Sequence, residues 1–262
     1  LSYKFSGEML LNMQDRDSII INLHRHGLGV RMYLIVSYLA YARDQGKNLI
    51  GLWKNNDQCP GDFCSIFKPI DGCQILDNDW KGLFSSLPKG PKALHMLEGY
   101  YPFQHSHLYS TFNPIESIQI KIDSLCSSLG QFISIHARRT DHVHVMKKHN
   151  THVSDQDFFD FIDSLDGSLK IFLACDNKDT QKVFLDRYGP RVVFNKNITN
   201  DFNPEDSLVR ATSLEDAVVD MFVSSKALYF KGSNKTSNGI GSSSFSGAIQ
   251  YLHNLNKKND QP

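Results

Sequence analysis

Phe132-Ile133-Ser134-Ile135-His136-Ala137-Arg138-Arg139-Thr140-Asp141 is the stretch on which the fold of this 262-residue chain turns. Its first half is a short apolar, β-branched run and reads as a buried strand. The strand delivers His136, Arg138, Arg139, Thr140 and Asp141 at its carboxyl end, the edge where open α/β sheets bind ligands. A guanidinium is always charged and forks onto phosphate oxygens, so two arginines at such an edge suit a pyrophosphate. The competing reading is a solvated ion pair between Arg139 and Asp141.

The same rhythm continues on both sides. Upstream, residues 115–129 carry an apolar stripe at helical spacing. Downstream, Ser154 and Asp157 form the start of a capping box, and strands are expected at 170–174, 191–194 and 227–230. Helices are expected at 179–188, from the Ser213 cap to about 225, and at 244–254. At the amino end, residues 18–23 read as a strand, Gly27-Leu28-Gly29 as a turn, 30–43 as a helix buried on several sides, and 49–53 as a second strand. Residues 55–114 hold six prolines and read as irregular chain with short elements. Alternating strands and helices imply parallel sheets covered on both faces. We expect two α/β halves, 1–114 and 115–262.

Composition narrows the function classes. Lys plus Arg equal Asp plus Glu at 28 each, so no overall basic field attracts nucleic acid. Five cysteines are too few for a disulfide scaffold, although Cys59, Cys64 and Cys73 are close enough in sequence for one local bridge. The longest apolar run is well short of the roughly 20 residues a membrane span needs. A cytoplasmic setting is the default expectation, and a start at Leu1 rather than Met fits a piece of a longer polypeptide.

Other segments could carry chemistry. Asp176 and Asn177 leave the strand at 170–174, where they suit a ribose or base, or simply cap the next helix. The Gly/Ser-rich stretch 231–246 opens a helix and offers backbone N–H groups to an anion. Three HxH pairs (His24/His26, His105/His107, His142/His144) and Asp77-Asn78-Asp79 allow a metal-dependent hydrolase or a metal-assisted transferase. We nevertheless expect no metal site and no resident cofactor.

Taken together, His136-Ala137-Arg138-Arg139-Thr140-Asp141 resembles the HxRRTD signature of the α-1,6- and nodulation fucosyltransferases, relatives of the α-1,2- and protein O-fucosyltransferases. Residues 171–177, Asp220, Ser224-Ser225 and Ser243-Ser244-Phe245-Ser246 are similar to their later motifs, and Gly27-Leu28-Gly29-Val30-Arg31 to their GxGN[RQ] turn. The resemblance implies an α/β GT-B architecture, two Rossmann-like domains facing a cleft. It also implies metal-independent, inverting transfer of fucose from GDP-fucose to a hydroxyl of an oligosaccharide or glycoprotein. By the same resemblance Arg138 meets the diphosphate beside His136 and Arg139, and Asp176, Asn177 and Asp220 face the nucleoside. Ser243, Ser244 and Phe245 close on phosphate and base, and Gly27, Gly29 and Arg31 complete the donor site. Two positions depart from the pattern. Val30 stands where an amide is usual, and Met146 where the α-1,6 enzymes have a glutamate. Asp141, His142 and His144 are the nearby candidates for the base. Alternatives are a transferase of another GDP-sugar, the hydrolase above, or a non-catalytic nucleotide- or glycan-binding domain.

Overall fold

The computed structural model describes residues 18–23, 26–77, 97–140, 147, 151–199, 212–234 and 243–259. Two parallel sheets organise them. In the first, β1 (Ser18–Asn22), β2 (Asn48–Trp53) and β3 (Cys73–Asp77) lie in the order β1-β2-β3. In the second, β4 (Phe132–Ala137), β5 (Lys170–Cys175), β6 (Val192–Val193) and β7 (Tyr229–Lys231) lie in the order β6-β5-β4-β7.

Burial on both faces explains why the central strands are apolar at consecutive positions. Side chains alternate along a strand. Ile133, Ile135 and Ala137 of β4, with Ile171, Leu173 and Cys175 of β5, enter one core with α3 (Asp155–Asp163) and α4 (Lys178–Tyr188). Phe132, Phe172 and Ala174 point the other way, into a larger core. That core runs through α2 (Glu116–Leu129), α5 (Leu214–Ser225) and α6 (Ser244–Asn259) to α1 (Leu28–Asp44) and the first sheet. Helix α1 makes the β1–β2 crossover while packing on the first sheet and on α6, hence its lack of a polar face. The closing helix α6 thus returns from the second half to the first. Among the described residues no helix is long and apolar enough to cross a membrane.

The expected elements form, with local differences. Helix α1 begins at Leu28, so the glycine turn is its N-terminus rather than a separate loop. Strand β3 falls in the stretch read as irregular. It is a five-residue edge strand entered from Gly72 at φ 72°, and Gln74 interrupts its apolar run. Strand β7 starts later than expected because a turn from Ser224 to Ala227 closes α5 first. The capping box expected at Ser154/Asp157 forms, and the Ser213 cap proves to be part of a second box, with Asp216. All five cysteines are free thiols, so the local bridge their spacing allowed is not made.

Candidate functional site

Strand alternation sorts the motif residues between two sides of the second sheet. His136 and Arg138 follow the parity of Phe132 and line the cleft between the halves, while Arg139 follows Ala137 to the opposite side. The Arg139 guanidinium donates to Asp155 Oδ1 at 2.6 Å and to the Val153 carbonyl at 2.8 Å, and stacks over Phe158 at 5.2 Å. Among the described residues its ion-pair partner is Asp155 at the start of α3, and Asp141 lies outside them. At the end of β5 the same rule divides Asp176, which lines the cleft, from Asn177, which caps α4 by accepting from Thr180 N–H at 2.9 Å.

The cleft wall from the second half is cross-braced by polar side chains. Asp176 accepts from Arg139 N–H at 2.8 Å and from Thr140 Oγ1 at 2.6 Å, and lies 3.3 Å from Arg138 Nε. It thereby fixes the backbone and aims the arginine. Ser233 Oγ donates to the His136 carbonyl at 2.8 Å and accepts from Arg138 N–H at 2.7 Å, tying the end of β7 to that of β4. Ser246 Oγ lies 2.6 Å from His136 Nδ1 and accepts from Ser233 N–H at 2.9 Å. Burial pushes the His136 imidazole down to about 3, Asp176 opposing and the two arginines reinforcing the shift, so the ring is neutral. The Asn234 amide pairs both ways with the Ser243 backbone, at 3.1 and 2.6 Å, and clamps the two ends of the glycine-rich loop.

Asp220 sits on the same face of α5 as Leu214 and Ala217, at helical spacing, and all three line the cleft. Burial, with Asp216 nearby, holds its carboxyl well above the usual carboxylate range, and its buried Oδ1 has no hydrogen-bond partner among the described residues. An unsatisfied buried acceptor facing a cleft marks a place for a ligand donor.

The first half supplies the other wall: His26, Gly27, Leu28, Gly29 and Val30 at the start of α1, with Gln58 and Pro60. A Cβ on Gly29 would lie 2.6 Å from Phe245 N, so the N-termini of α1 and α6 meet here, closer than any side chain permits. Arg31 does not line the cleft. It is fully buried, donating from Nε to the His26 carbonyl at 2.6 Å and from Nη2 to the Lys54 carbonyl at 2.8 Å, over the Trp53 ring at 4.3 Å.

The structure thus gathers Gly27, Gly29, His136, Arg138, Asp176, Asp220, Ser243, Ser244 and Phe245 around one cleft, and leaves Arg31, Arg139 and Asn177 outside its lining. Asp141, His142 and His144 lie outside the described residues, as do His24, Asn78 and Asp79. Both oxygens of Asp77 accept backbone N–H groups, from Phe63 at 2.6 Å and Cys64 at 2.9 Å, so this carboxylate caps a turn. Among the described residues no cluster of three metal-ligating side chains occurs. Ser224 and Ser225 belong to the α5–α6 packing, where the Ser225 carbonyl accepts from Asn256 at 3.0 Å. Sequence reading missed His26, Gln58, Pro60 and Ala217 as cleft residues. For Ala217 the signal was its position three residues before Asp220; Gln58 and Pro60 stand on a turn closed by Asn56 Oδ1 and carry none.

No protein-family model matches the chain, and no curated protein matches its sequence. Solved structures do match its fold. The NodZ α-1,6-fucosyltransferase co-crystallised with GDP is 14% identical, with a TM-score of 0.56 over 90% of this chain and 92% of that one. The fucosyltransferase NodZ from Bradyrhizobium gives the same identity and TM-score, over 90% and 93%. POFUT1 in complex with GDP is 12% identical, with a TM-score of 0.59 over 90% of this chain and 94% of that one. At such identities the likeness is one of fold, and the chain has the α/β GT-B type, two Rossmann-like halves facing a cleft.

Proposed function

We propose that the protein is a glycosyltransferase that moves fucose from GDP-fucose to a hydroxyl of a glycan, with inversion and without a metal ion. The observation that carries this reading is the cleft itself. It joins a permanently charged fork, Arg138, to two converging helix N-termini, and includes a buried carboxyl, Asp220, with an oxygen unpartnered among the described residues. Arginine and helix N-termini suit a diphosphate. A guanine edge offers two N–H donors, where uracil offers one, and the unpartnered Oδ1 of Asp220 is the acceptor such an edge needs. The fold-level likeness to proteins crystallised with GDP points the same way. In this reading residues 115–262 hold the nucleotide and residues 1–114 face the glycan.

In the reaction the acceptor oxygen bonds to the anomeric carbon while the bond from that carbon to the β-phosphate oxygen breaks. The electron pair stays on the departing GDP, whose growing charge Arg138 stabilises. A melting-temperature series with nucleotides tests the reading. GDP and GDP-fucose should raise the transition as RT ln(1 + [L]/Kd), UDP-hexoses should not, and a folded Arg138→Ala protein should lose most of the shift. A shift with UDP-hexoses and none with GDP overturns the assignment.

A further inference from the structure

We propose that His26 is the general base that removes the proton from the acceptor hydroxyl. This rests on the transferase reading and extends it to a residue on the other wall of the cleft. Six titratable residues among those described line the cleft: His26, His136, Arg138, Cys175, Asp176 and Asp220. Five are unsuited to the task by position or chemistry. Arg138 is a permanent cation, and Asp176 already holds Thr140, Arg139 N–H and Arg138. Asp220 and Cys175 keep their protons, because burial raises both. His136 is enclosed against Ser246 and Phe245 on the same wall as Arg138.

His26 differs in place. It precedes the first turn of α1, so it stands on the first-half wall, across the cleft from the arginine that meets the leaving group. Inverting transfer needs this geometry, since the acceptor attacks the sugar face opposite the departing diphosphate. His26 is half-buried, so a glycan hydroxyl can reach it from solvent. An imidazole takes and releases protons near neutral pH.

The backbone around His26 is built to hold it. Arg31, a fully buried cation, donates to the His26 carbonyl at 2.6 Å, and its other arm holds the Lys54 carbonyl at 2.8 Å. One guanidinium therefore fixes both the turn carrying His26 and the start of the loop carrying Gln58 and Pro60. Burying a charge is costly; Nε and Nη2 are spent on these two carbonyls and set the position of the acceptor wall, while Nη1 is buried without a partner among the described residues. The bond between oxygen and the anomeric carbon forms, the bond to the β-phosphate oxygen breaks, GDP leaves with the electron pair, and the acceptor proton passes to an imidazole nitrogen of His26 and then to water.

The test measures GDP released from GDP-fucose by wild type and by His26→Ala and His26→Asn, with water or an oligosaccharide panel as acceptor, beside GDP affinity by calorimetry. General bases contribute about 10²- to 10⁴-fold. Both variants should lose at least about a hundredfold in kcat while GDP affinity stays within about twofold, and added imidazole should restore part of the His26→Ala rate. Variants with normal kcat, or with GDP affinity lost in parallel, or with no response to imidazole, overturn the proposal and leave the transferase reading standing. A wild-type protein that binds no GDP, or binds it and releases none from the donor, overturns the transferase reading itself.

Discussion

Neighbouring arginines do different work in this protein because a strand turns successive side chains to opposite faces. Arg138 reaches the cleft and Arg139 braces α3 through Asp155. The parity of Phe132 against Ile133 already carried that division, as did the pairing of Ala174 with Asp176 and of Cys175 with Asn177. Asp220 is the residue whose chemistry depends most on its surroundings. The folded chain keeps its proton at pH values where the unfolded chain has lost it. Folded protein then binds more protons than unfolded protein, so this group lowers stability progressively as pH rises above about 4. Asp220→Asn removes the loss. The stability difference between variant and wild type, from urea midpoints at several pH values, should be constant below about pH 4 and widen in favour of the variant toward pH 7. A difference independent of pH would show that Asp220 ionises in the folded state. If the cleft holds GDP as proposed, this stabilising change at a cleft residue is expected to weaken GDP binding, the usual exchange between stability and function.

At the scale of elements, the crossing of α1 and α6 sets the cleft. Two glycines permit it. A Cβ on Gly29 would meet Phe245 N at 2.6 Å and Ser244 C at 2.7 Å, both backbone atoms, and a Cβ on Gly247 would meet Tyr33 Oη at 1.8 Å. The second clash is with the tip of a side chain and can be relieved; the first cannot. Gly247→Ala should destabilise by about 1–3 kcal/mol despite the better helix propensity of alanine. Tyr33→Phe in the same chain should recover part of that loss. Gly29→Ala should be the more damaging change, and no side-chain truncation should rescue it. Urea midpoints of the four proteins check this, and a Gly247→Ala protein as stable as wild type would mean the helices do not cross as closely as described. Neither contact was visible in sequence, where Gly27 and Gly29 read as a turn and Gly247 as an ordinary helix position.

For the whole molecule, one core continues from the first sheet through α1, α6 and α5 to one face of the second sheet. The two halves therefore share buried surface instead of meeting across a thin linker. Tryptophan fluorescence, with Trp53 buried in the first half, and far-UV circular dichroism should give one urea midpoint. Two separated midpoints would show that the halves unfold independently. The sequence by itself determined most strands and helices of the second half, the capping box at Ser154/Asp157, the cap at Ser213 and the parallel α/β class. These follow from local rules: side-chain period, caps, and the apolar strands of sheets covered on both faces. Only the tertiary structure decided which motif residues share the cleft, that Arg31 supports a wall instead of lining it, and that His26, Gln58 and Pro60 stand opposite Arg138. It also decided that Asp77 caps a turn and that residues 73–77 form a third strand. The physical reason is the same in each case: these outcomes depend on contacts between segments far apart in the chain, and no local period or cap encodes which distant backbone or side chain will be met.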